Sequence, residues 1–497
     1  MSPAGVEING FSWRHAGRKN PTIADMSLTI PPGQKVLLLG ESGAGKSTLL
    51  AAIAGVLGDD EGHRSGTLKI QPPNATCGLV LQDPDSQVIA SRIGDDVAFG
   101  LENLGLPREE IFRRVHQALE VVGLHYPLDH PTAELSGGEK QRLAVAGVAA
   151  MGAGIMLLDE PTANIDPAGM GDVLAAIDDA HRHYGMTVIV VEHRVEQWAT
   201  WVDRVVVLGA AERGIIADGT PADVLHTQGP QLAQRGVWVP GIPLELISHT
   251  TAPGPAAPWA LQCTDVETSW NGADITTGPI SCALPAGYST VITGPNGAGK
   301  TTLALTMAGL LDPLGGSVTA SPDVAGDAHS SAPGAWTSRE LAQRIGFVFQ
   351  DPEHQFVART VRQELEIGPA IRAKKKLPWW RKLTGRLDYE DVDSQTVDML
   401  LNRLRLDHLA EANPFSLSGG QKRRLSVATA LAAAPAVVLL DEPTFGQDRR
   451  TFTEMVSLLR ELTNTGVTVA SITHDELFVR ALGDHHIRLS ATRKGKQ

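Results

Sequence analysis

Short apolar runs that stop abruptly at a glycine or a polar residue recur along the chain, in the same order in its two halves. Val36 to Leu39 stops at Gly40, Gly78-Leu79-Val80-Leu81 at Gln82, Ile155-Met156-Leu157-Leu158 at Asp159, and Thr187 to Val191 at Glu192-His193. The counterparts are Val291-Ile292-Thr293 before Gly294, Gly346-Phe347-Val348-Phe349 before Gln350, Val437-Val438-Leu439-Leu440 before Asp441, and Val467 to Ile472 before Thr473-His474. A continuous apolar run is the mark of a parallel strand covered on both faces, and ligands bind beyond the carboxyl ends of such strands. Alternation at Val6 and Ile8, followed by Ser27-Leu28-Thr29-Ile30, predicts an antiparallel edge ahead of the first run. The charged stretch Asp95 to Val122 predicts a helical region between the second run and the third. Together these signals predict an α/β fold that occurs twice.

The first run of each half leads into a phosphate cradle. Gly40-Glu41-Ser42-Gly43-Ala44-Gly45-Lys46-Ser47 is followed by the helical stretch Thr48 to Ala54, and Gly294-Pro295-Asn296-Gly297-Ala298-Gly299-Lys300-Thr301 by an alanine- and leucine-rich helix beginning at Thr302. Glycines let backbone N–H groups curl around an anion, and the new helix points its unsatisfied N–H groups at the same spot. Lys46 or Lys300 adds a point charge, and Ser47 or Thr301 a magnesium ligand.

The ends of the other runs carry matching chemistry. Gln82 and Gln350 can hydrogen-bond a magnesium-bound water and, being uncharged, release it cheaply. Leu135-Ser136-Gly137-Gly138-Glu139-Lys140-Gln141 and Leu417-Ser418-Gly419-Gly420-Gln421-Lys422-Arg423 each set a serine three residues before an acid or amide, the capping box of a helix start. The two glycines leave that helix end bare enough for a second phosphate to approach its N–H groups. Asp159-Glu160-Pro161-Thr162 and Asp441-Glu442-Pro443-Thr444 follow at identical spacing from the serines. Asp159 and Asp441 suit magnesium held through water, and Glu160 and Glu442 the orientation or deprotonation of an attacking water. His193 and His474, at nearly equal distances beyond the aspartates, are expected to hydrogen-bond a terminal phosphate. Trp13 and Trp270 precede the two lysines at nearly the same offset, which predicts aromatic platforms for a nucleotide base.

Composition narrows the field. A net charge of -13 over 497 residues argues against a nucleic-acid duplex as main partner, because neutralising phosphates needs a basic surface. The three cysteines, Cys77, Cys263 and Cys282, have no C-x-x-C spacing, so neither a disulfide framework nor a zinc site is expected and a reducing compartment fits. No basic-then-apolar secretory pattern opens the chain. The longest uncharged apolar run, Leu143 to Leu158, falls short of the ~20 residues of a membrane span and is broken by Gly147, Gly152 and Gly154. Any action at a membrane is therefore expected to run through partners.

These residues resemble the ATP-binding cassette (ABC) superfamily over nearly all of both halves. Trp13 and Trp270 look like its aromatic A-loop, Gly40 to Ser47 and Gly294 to Thr301 like Walker A, and Gln82 and Gln350 like the Q-loop. Leu135 to Gln141 and Leu417 to Arg423 look like the signature motif, Ile155 to Glu160 and Val437 to Glu442 like Walker B with its catalytic glutamate, and His193 and His474 like the switch histidine. The resemblance implies two tandem ABC-type P-loop nucleotide-binding domains, each a mixed sheet core with an antiparallel β edge and an α-helical subdomain. It also implies ATP and Mg2+ as cofactors, with Thr48 and Thr302 among the ATP contacts, and halves that pair head to tail around two nucleotides.

Within the superfamily, Gln82 to Gln87, Asp95 to Asn103, Glu192-His193-Arg194 and the extension opening at Asp218-Gly219-Thr220-Pro221 are similar to the ATPases of energy-coupling factor and cobalt-type importers. That likeness implies a peripheral protein on the cytoplasmic face of the cell membrane. Its partners would be an integral-membrane scaffold subunit and a substrate-binding membrane subunit on separate chains, its cargo a vitamin, vitamin precursor or transition-metal ion, with no nucleic acid. The second half departs from the pattern: it lacks the extension, and Phe445-Gly446-Gln447-Asp448 stands where the first half has Ala163-Asn164-Ile165-Asp166. A soluble tandem cassette acting on ribosomes or DNA typically carries a long charged helical linker, which is not seen here. A sugar importer's tandem ATPase commonly has a degenerate second phosphate loop, whereas Lys300-Thr301 and Glu442 are intact.

Proline and weak periodicity put a linker at residues 239–258, between a first domain at 1–238 and a second at 259–497. Two insertions belong to the second half alone. Ala320 to Pro333 reads as a polar surface loop, and Ala373 to Asp388, with Lys374-Lys375-Lys376 and Trp379-Trp380, as either a solvated insertion or a contact for lipid headgroups or a membrane partner.

Overall fold

The computed structural model describes residues 2–490 except 18–19, 59, 164, 166, 211, 245–251, 255–256, 271, 273–274, 374–393 and 445. The basic-tryptophan stretch from Lys374 onward, much of the linker, and Asn164, Asp166 and Phe445 thus lie outside the described residues. The chain forms two compact units, Met1–Pro243 with Gly446–Arg450, and Leu244–Phe445 with Thr451–Gln497.

In the first unit, β1 (Gly5–His15), β2 (Ile23–Ile30) and, after β3 (Lys35–Gly40) and α1 (Lys46–Ala54), β4 (Gly62–Gln71) supply a three-stranded antiparallel sheet in the order β2-β1-β4. Next come β5 (Cys77–Val80) and the helices α2 (Ile93–Asn103), α3 (Arg108–Val121) and α4 (Gly137–Met151). They are followed by β6 (Ile155–Asp159), α5 (Pro167–Tyr184), β7 (Thr187–Val191), α6 (Val195–Ala199), β8 (Arg204–Leu208), β9 (Ile215–Gly219) and α7 (Gly229–Gln234). The second sheet runs β5-β6-β7-β3-β8-β9, parallel except for the antiparallel β8–β9 pair.

Side chains alternate across a strand, so an unbroken apolar run feeds two cores. Leu37, Leu39, Met156, Leu158, Val188 and Val190 pack with the helices, from Val97 and Leu119 to Leu143 and Val173. Val36, Leu38, Ile155, Leu157, Ile189 and Val191 pack with the antiparallel sheet and with Leu49, Leu50 and Ile53 of α1. The phosphate loop and the strand ends are thereby clamped from both sides.

The second unit repeats the plan. β10 (Trp259–Thr268), β11 (Thr277–Pro285) and β13 (Gly315–Ala320) form an antiparallel sheet in the order β11-β10-β13, with β12 (Ser289–Thr293) and α8 (Lys300–Met307) between β11 and β13. After them come α9 (Pro322–Ala325), α10 (Ser338–Arg344), β14 (Ile345–Val348), α11 (Val361–Ala373), α12 (Ser394–Arg403) and α13 (Gly419–Ala432). The unit continues with β15 (Val437–Asp441), α14 (Arg449–Asn464), β16 (Thr468–Ile472), α15 (Glu476–Leu482) and β17 (His485–Arg488). Its parallel sheet runs β14-β15-β16-β12-β17. The parallel core, antiparallel edge and helices expected of each half are all present.

One expectation is corrected here. Residues Ala320 to Pro333 are not a bare surface loop: Ser321 caps α9, Val324 and Ala325 are buried, and the Ala325 carbonyl accepts from Arg344 Nε at 2.9 Å. Backbone groups at its start are satisfied within the fold, with Ala320 N–H on Ser331 O at 2.7 Å and Ser321 N–H on Ala260 O at 2.9 Å.

Candidate functional site

Each phosphate loop joins a buried strand to a helix that begins at its lysine, α1 at Lys46 and α8 at Lys300. Glycine is required at two points of the turn. Gly40 has φ 154°, and a Cβ there would meet Leu208 O at 2.5 Å; Gly45 is left-handed at φ 89°, with Ile23 Cγ1 3.0 Å from where a Cβ would sit. Lys46 Nζ donates to Gly40 O at 2.8 Å and Glu41 O at 3.1 Å, and Lys300 Nζ to Gly294 O at 2.9 Å and Pro295 O at 3.0 Å. Each ammonium is thus held over its own loop, where an anion would take over part of the work of the carbonyls. Burial pulls the Lys46 ammonium below the ordinary lysine value, although acids surround it.

The strand ends converge on the same spot. Asp159, closing β6, is hydrogen-bonded by Ser47, and burial pushes its carboxyl up to about 6. Glu160 next to it accepts from Gln82 Nε2 at 2.9 Å and lies 3.2 Å from His193 Nε2, so the first unit joins Lys46, Ser47, Gln82, Asp159, Glu160 and His193 in one cluster. Burial raises the Glu160 carboxyl, but the His193 charge and hydrogen bond and the Lys46 ammonium outweigh it and leave it below the ordinary range. In the second unit Thr301 Oγ1 donates to Asp441 Oδ2 at 2.6 Å, and Arg423 is buried with its guanidinium on the carbonyls of Phe349, Gln350 and Asp441. Glu442 is hydrogen-bonded by the Thr473 hydroxyl, and burial together with the Asp441 charge pushes its carboxyl up to about 8. The glutamate of the same Asp-Glu pair is thus shifted down in one unit and up in the other.

The expected capping boxes are formed: Ser136 N–H donates to Glu139 Oε2 at 2.8 Å and Glu139 N–H to Ser136 Oγ at 3.3 Å, while Ser418 N–H donates to Gln421 Oε1 at 3.0 Å. A Cβ on Gly137 would meet nothing within 4 Å, so this helix start is sterically open.

Trp13 does not form the expected platform. Its ring is 2% exposed, packed against Gly62 and hydrogen-bonded to His15 Nδ1 at 3.3 Å, which leaves no face for a base. Trp270, at 66% exposed, is free on its surface. Strand register gives the reason. Trp13 pairs with Ile23 and Thr268 with Thr277, while Ile23 and Thr277 are the residues that crowd Gly45 and Gly299. Thr268 is therefore the counterpart of Trp13, and His15, two residues on, is the counterpart of Trp270. The half-buried His15 places Nε2 3.3 Å from Thr48 Oγ1, beside the first turn of α1. Counting back from each lysine would have signalled it, since His15 matches the Trp270 offset more closely than Trp13 does.

Sequence reasoning also missed the support behind His193. Glu192 is buried, accepts from Thr162 N–H at 3.0 Å and from the Thr162 hydroxyl, and accepts from His193 N–H at 3.0 Å. It ties the turn after Glu160 to the histidine. Thr473 occupies the equivalent position in the second half.

The ABC transporter family model matches residues 23–163 and 277–445. A Bacillus subtilis (strain 168) protein provisionally named as the HMP/thiamine import ATP-binding protein YkoD is 31% identical over 520 residues, covering 98% of this chain and 90% of its own. An Enterococcus faecalis (strain ATCC 700802 / V583) protein provisionally named as an ABC transporter ATP-binding protein is 31% identical over 522 residues, covering 95% and 86%. Among solved structures, the model of ribosome-bound archaeal Pelota and ABCE1 aligns with TM-score 0.63 over 96% of this chain and 76% of that one, at 18% identity, a likeness of fold alone. Two phosphate loops with their Asp-Glu strand ends, and the family match across both units, lead to one conclusion: the chain belongs to the ABC transporter ATP-binding family, as a tandem pair of ABC domains that hydrolyses ATP.

Proposed function

We propose that the chain is the energy-coupling ATPase of a membrane importer of the energy-coupling factor type. On this reading it lies peripherally on the cytoplasmic face of the cell membrane and drives uptake through an integral-membrane scaffold and a substrate-binding subunit on separate chains. Similarity along nearly the whole chain to the Bacillus subtilis relative carries the reading, and on that ground HMP or thiamine is the first cargo to test within the vitamin, vitamin-precursor and transition-metal class. Among the described residues no helix is long and apolar enough to cross a membrane, in keeping with transport through partner chains.

Residues 1–238 and 259–497 form the two domains, joined by the linker at 239–258. They close head to tail, each ATP lying between one half's phosphate loop and the other's Ser-Gly-Gly helix start. Magnesium suits the hydrogen-bonded Ser47–Asp159 and Thr301–Asp441 pairs, because it prefers oxygen donors and needs only one or two from protein while it keeps its remaining waters. It would neutralise charge on the terminal phosphates, with Gln82 and Gln350 on its water shell. Glu160 and Glu442 orient the attacking water, and His193 and His474 hold the terminal phosphate.

Affinity purification from detergent-solubilised membranes tests the reading. Stable recovery of integral-membrane partners, and ATP-dependent uptake of labelled HMP or thiamine by the reconstituted complex, are expected. Recovery of ribosomes with no membrane protein would overturn it.

A further inference from the structure

Two of the three cysteines meet in the antiparallel sheet of the second unit. Cys263 on β10 and Cys282 on β11 are direct register partners. Directly opposed residues of an antiparallel pair share a face with Cβ atoms ~4.5–5.5 Å apart, close to the ~3.5–4.5 Å of a disulfide. Each thiol is near enough to shift the other's ionisation. The ATPase chemistry above uses neither.

We propose that Cys263 and Cys282 form a reversible cross-strand disulfide by exchange with a small-molecule disulfide of the oxidised-glutathione class.

The two sulfurs have different parts. The neighbouring Cys282 thiol, with burial, pushes the Cys263 thiol up, whereas Cys263 holds the Cys282 thiol down. Cys282 is also half-buried, while Cys263 is fully buried. Cys282 is therefore the attacking thiolate. Its sulfur displaces one thiolate from the small disulfide to give a mixed disulfide. Cys263 then loses its proton, attacks the Cys282 sulfur and expels the second small thiol. The protein thiols are oxidised and the small disulfide is reduced to two thiols, so no other reactant is needed. Cys77 takes no part, since burial pushes its thiol up to about 11 and it belongs to the first unit.

The ring closed by this bond contains Trp270 and Thr277. Thr277 Oγ1 donates to Ala298 O of the second phosphate loop at 2.7 Å. Oxidation would thus restrain the hairpin that borders the second nucleotide site.

The test is a thiol titration of the native full chain before and after equilibration with oxidised glutathione. The accessible-on-denaturation thiols should fall from three to one, peptide mapping should recover a Cys263–Cys282 linkage, and dithiothreitol should restore all three. Cys282→Ser should protect Cys263 from oxidation. Cys263→Ala should stop at a glutathione adduct on Cys282, and this variant remains informative if the other folds poorly. A full complement of three thiols after oxidation, or an adduct on Cys282 in the unsubstituted chain without loss of the Cys263 thiol, would overturn the proposal.

Discussion

Replacing Trp13 and Trp270 separately should produce opposite kinds of damage. Trp13 is 2% exposed, with its ring among Ile8, Ile23 and the other side chains of the antiparallel-sheet core. Trp13→Ala opens a large cavity, and a buried Trp→Ala change costs about 3–5 kcal/mol. For a unit of this size each kcal/mol lowers Tm by about 2–4 °C, so the first unit should melt roughly 10 °C lower. Trp270 is 66% exposed. Trp270→Ala should therefore cost under about 1 kcal/mol of stability, since most of the ring is already in water. It should instead remove base stacking worth ~1–3 kcal/mol, or roughly 5- to 150-fold in nucleotide Kd at the second site. Calorimetry of the nucleotide-free protein reads the first effect. Titration with a fluorescent ATP analogue in a Lys46→Ala background, where the first site is disabled, reads the second. The argument from burial fails if Trp13→Ala leaves Tm unchanged while weakening ATP binding at the first site, or if Trp270→Ala binds ATP normally at the second.

Further substitutions test the chemistry. Glu160→Gln and Glu442→Gln should each lower ATP turnover, by about 100-fold at the altered site, and the pair should nearly abolish it and trap ATP; a single substitution without effect on turnover would mark that site as regulatory. Ser418→Arg should add little to the loss caused by Lys46→Ala but much to that caused by Lys300→Ala if, as proposed, the halves close head to tail and Ser418 and Lys46 serve one site; the reverse pairing in steady-state turnover would refute that closure. Arg423→Leu strips hydrogen bonds from the Phe349, Gln350 and Asp441 carbonyls, each worth about 1–3 kcal/mol if left unsatisfied, and should lower both the Tm of the second unit and turnover in a Glu160→Gln background. Unchanged values in both assays would show that water replaces the guanidinium.

Local motifs were legible because each is a short covalent pattern with one physical use. The spacing Gly40 to Ser47 dictates a strand, an inward-curling turn and a helix, and the turn forms as read, with left-handed glycines where a Cβ would clash. Ser136 and Glu139 announce their helix start for the same reason, and they bond each other as expected. Trp13 was misread because aromatic character and offset do not say what covers a ring. Its burial depends on β2 and β4 crossing it, and these reach β1 only through the sheet.

The sequence by itself determined that the fold is α/β and doubled, that each half carries a phosphate loop and an Asp-Glu pair at a strand end, and that the chain resembles ABC ATPases. These follow from short-range pattern, since periodicity and turn chemistry act over a few residues. Only the tertiary structure decided which of two adjacent and equally apolar residues, Leu37 or Leu38, faces the helices and which the antiparallel sheet. It also decided that His15 reaches Thr48 of α1 while the Trp13 ring is buried in the core, and that Glu160 is held low by His193 while Glu442 is pushed up to about 8. In each case the deciding neighbour comes from a strand or helix remote in the chain, and burial and charge act through space.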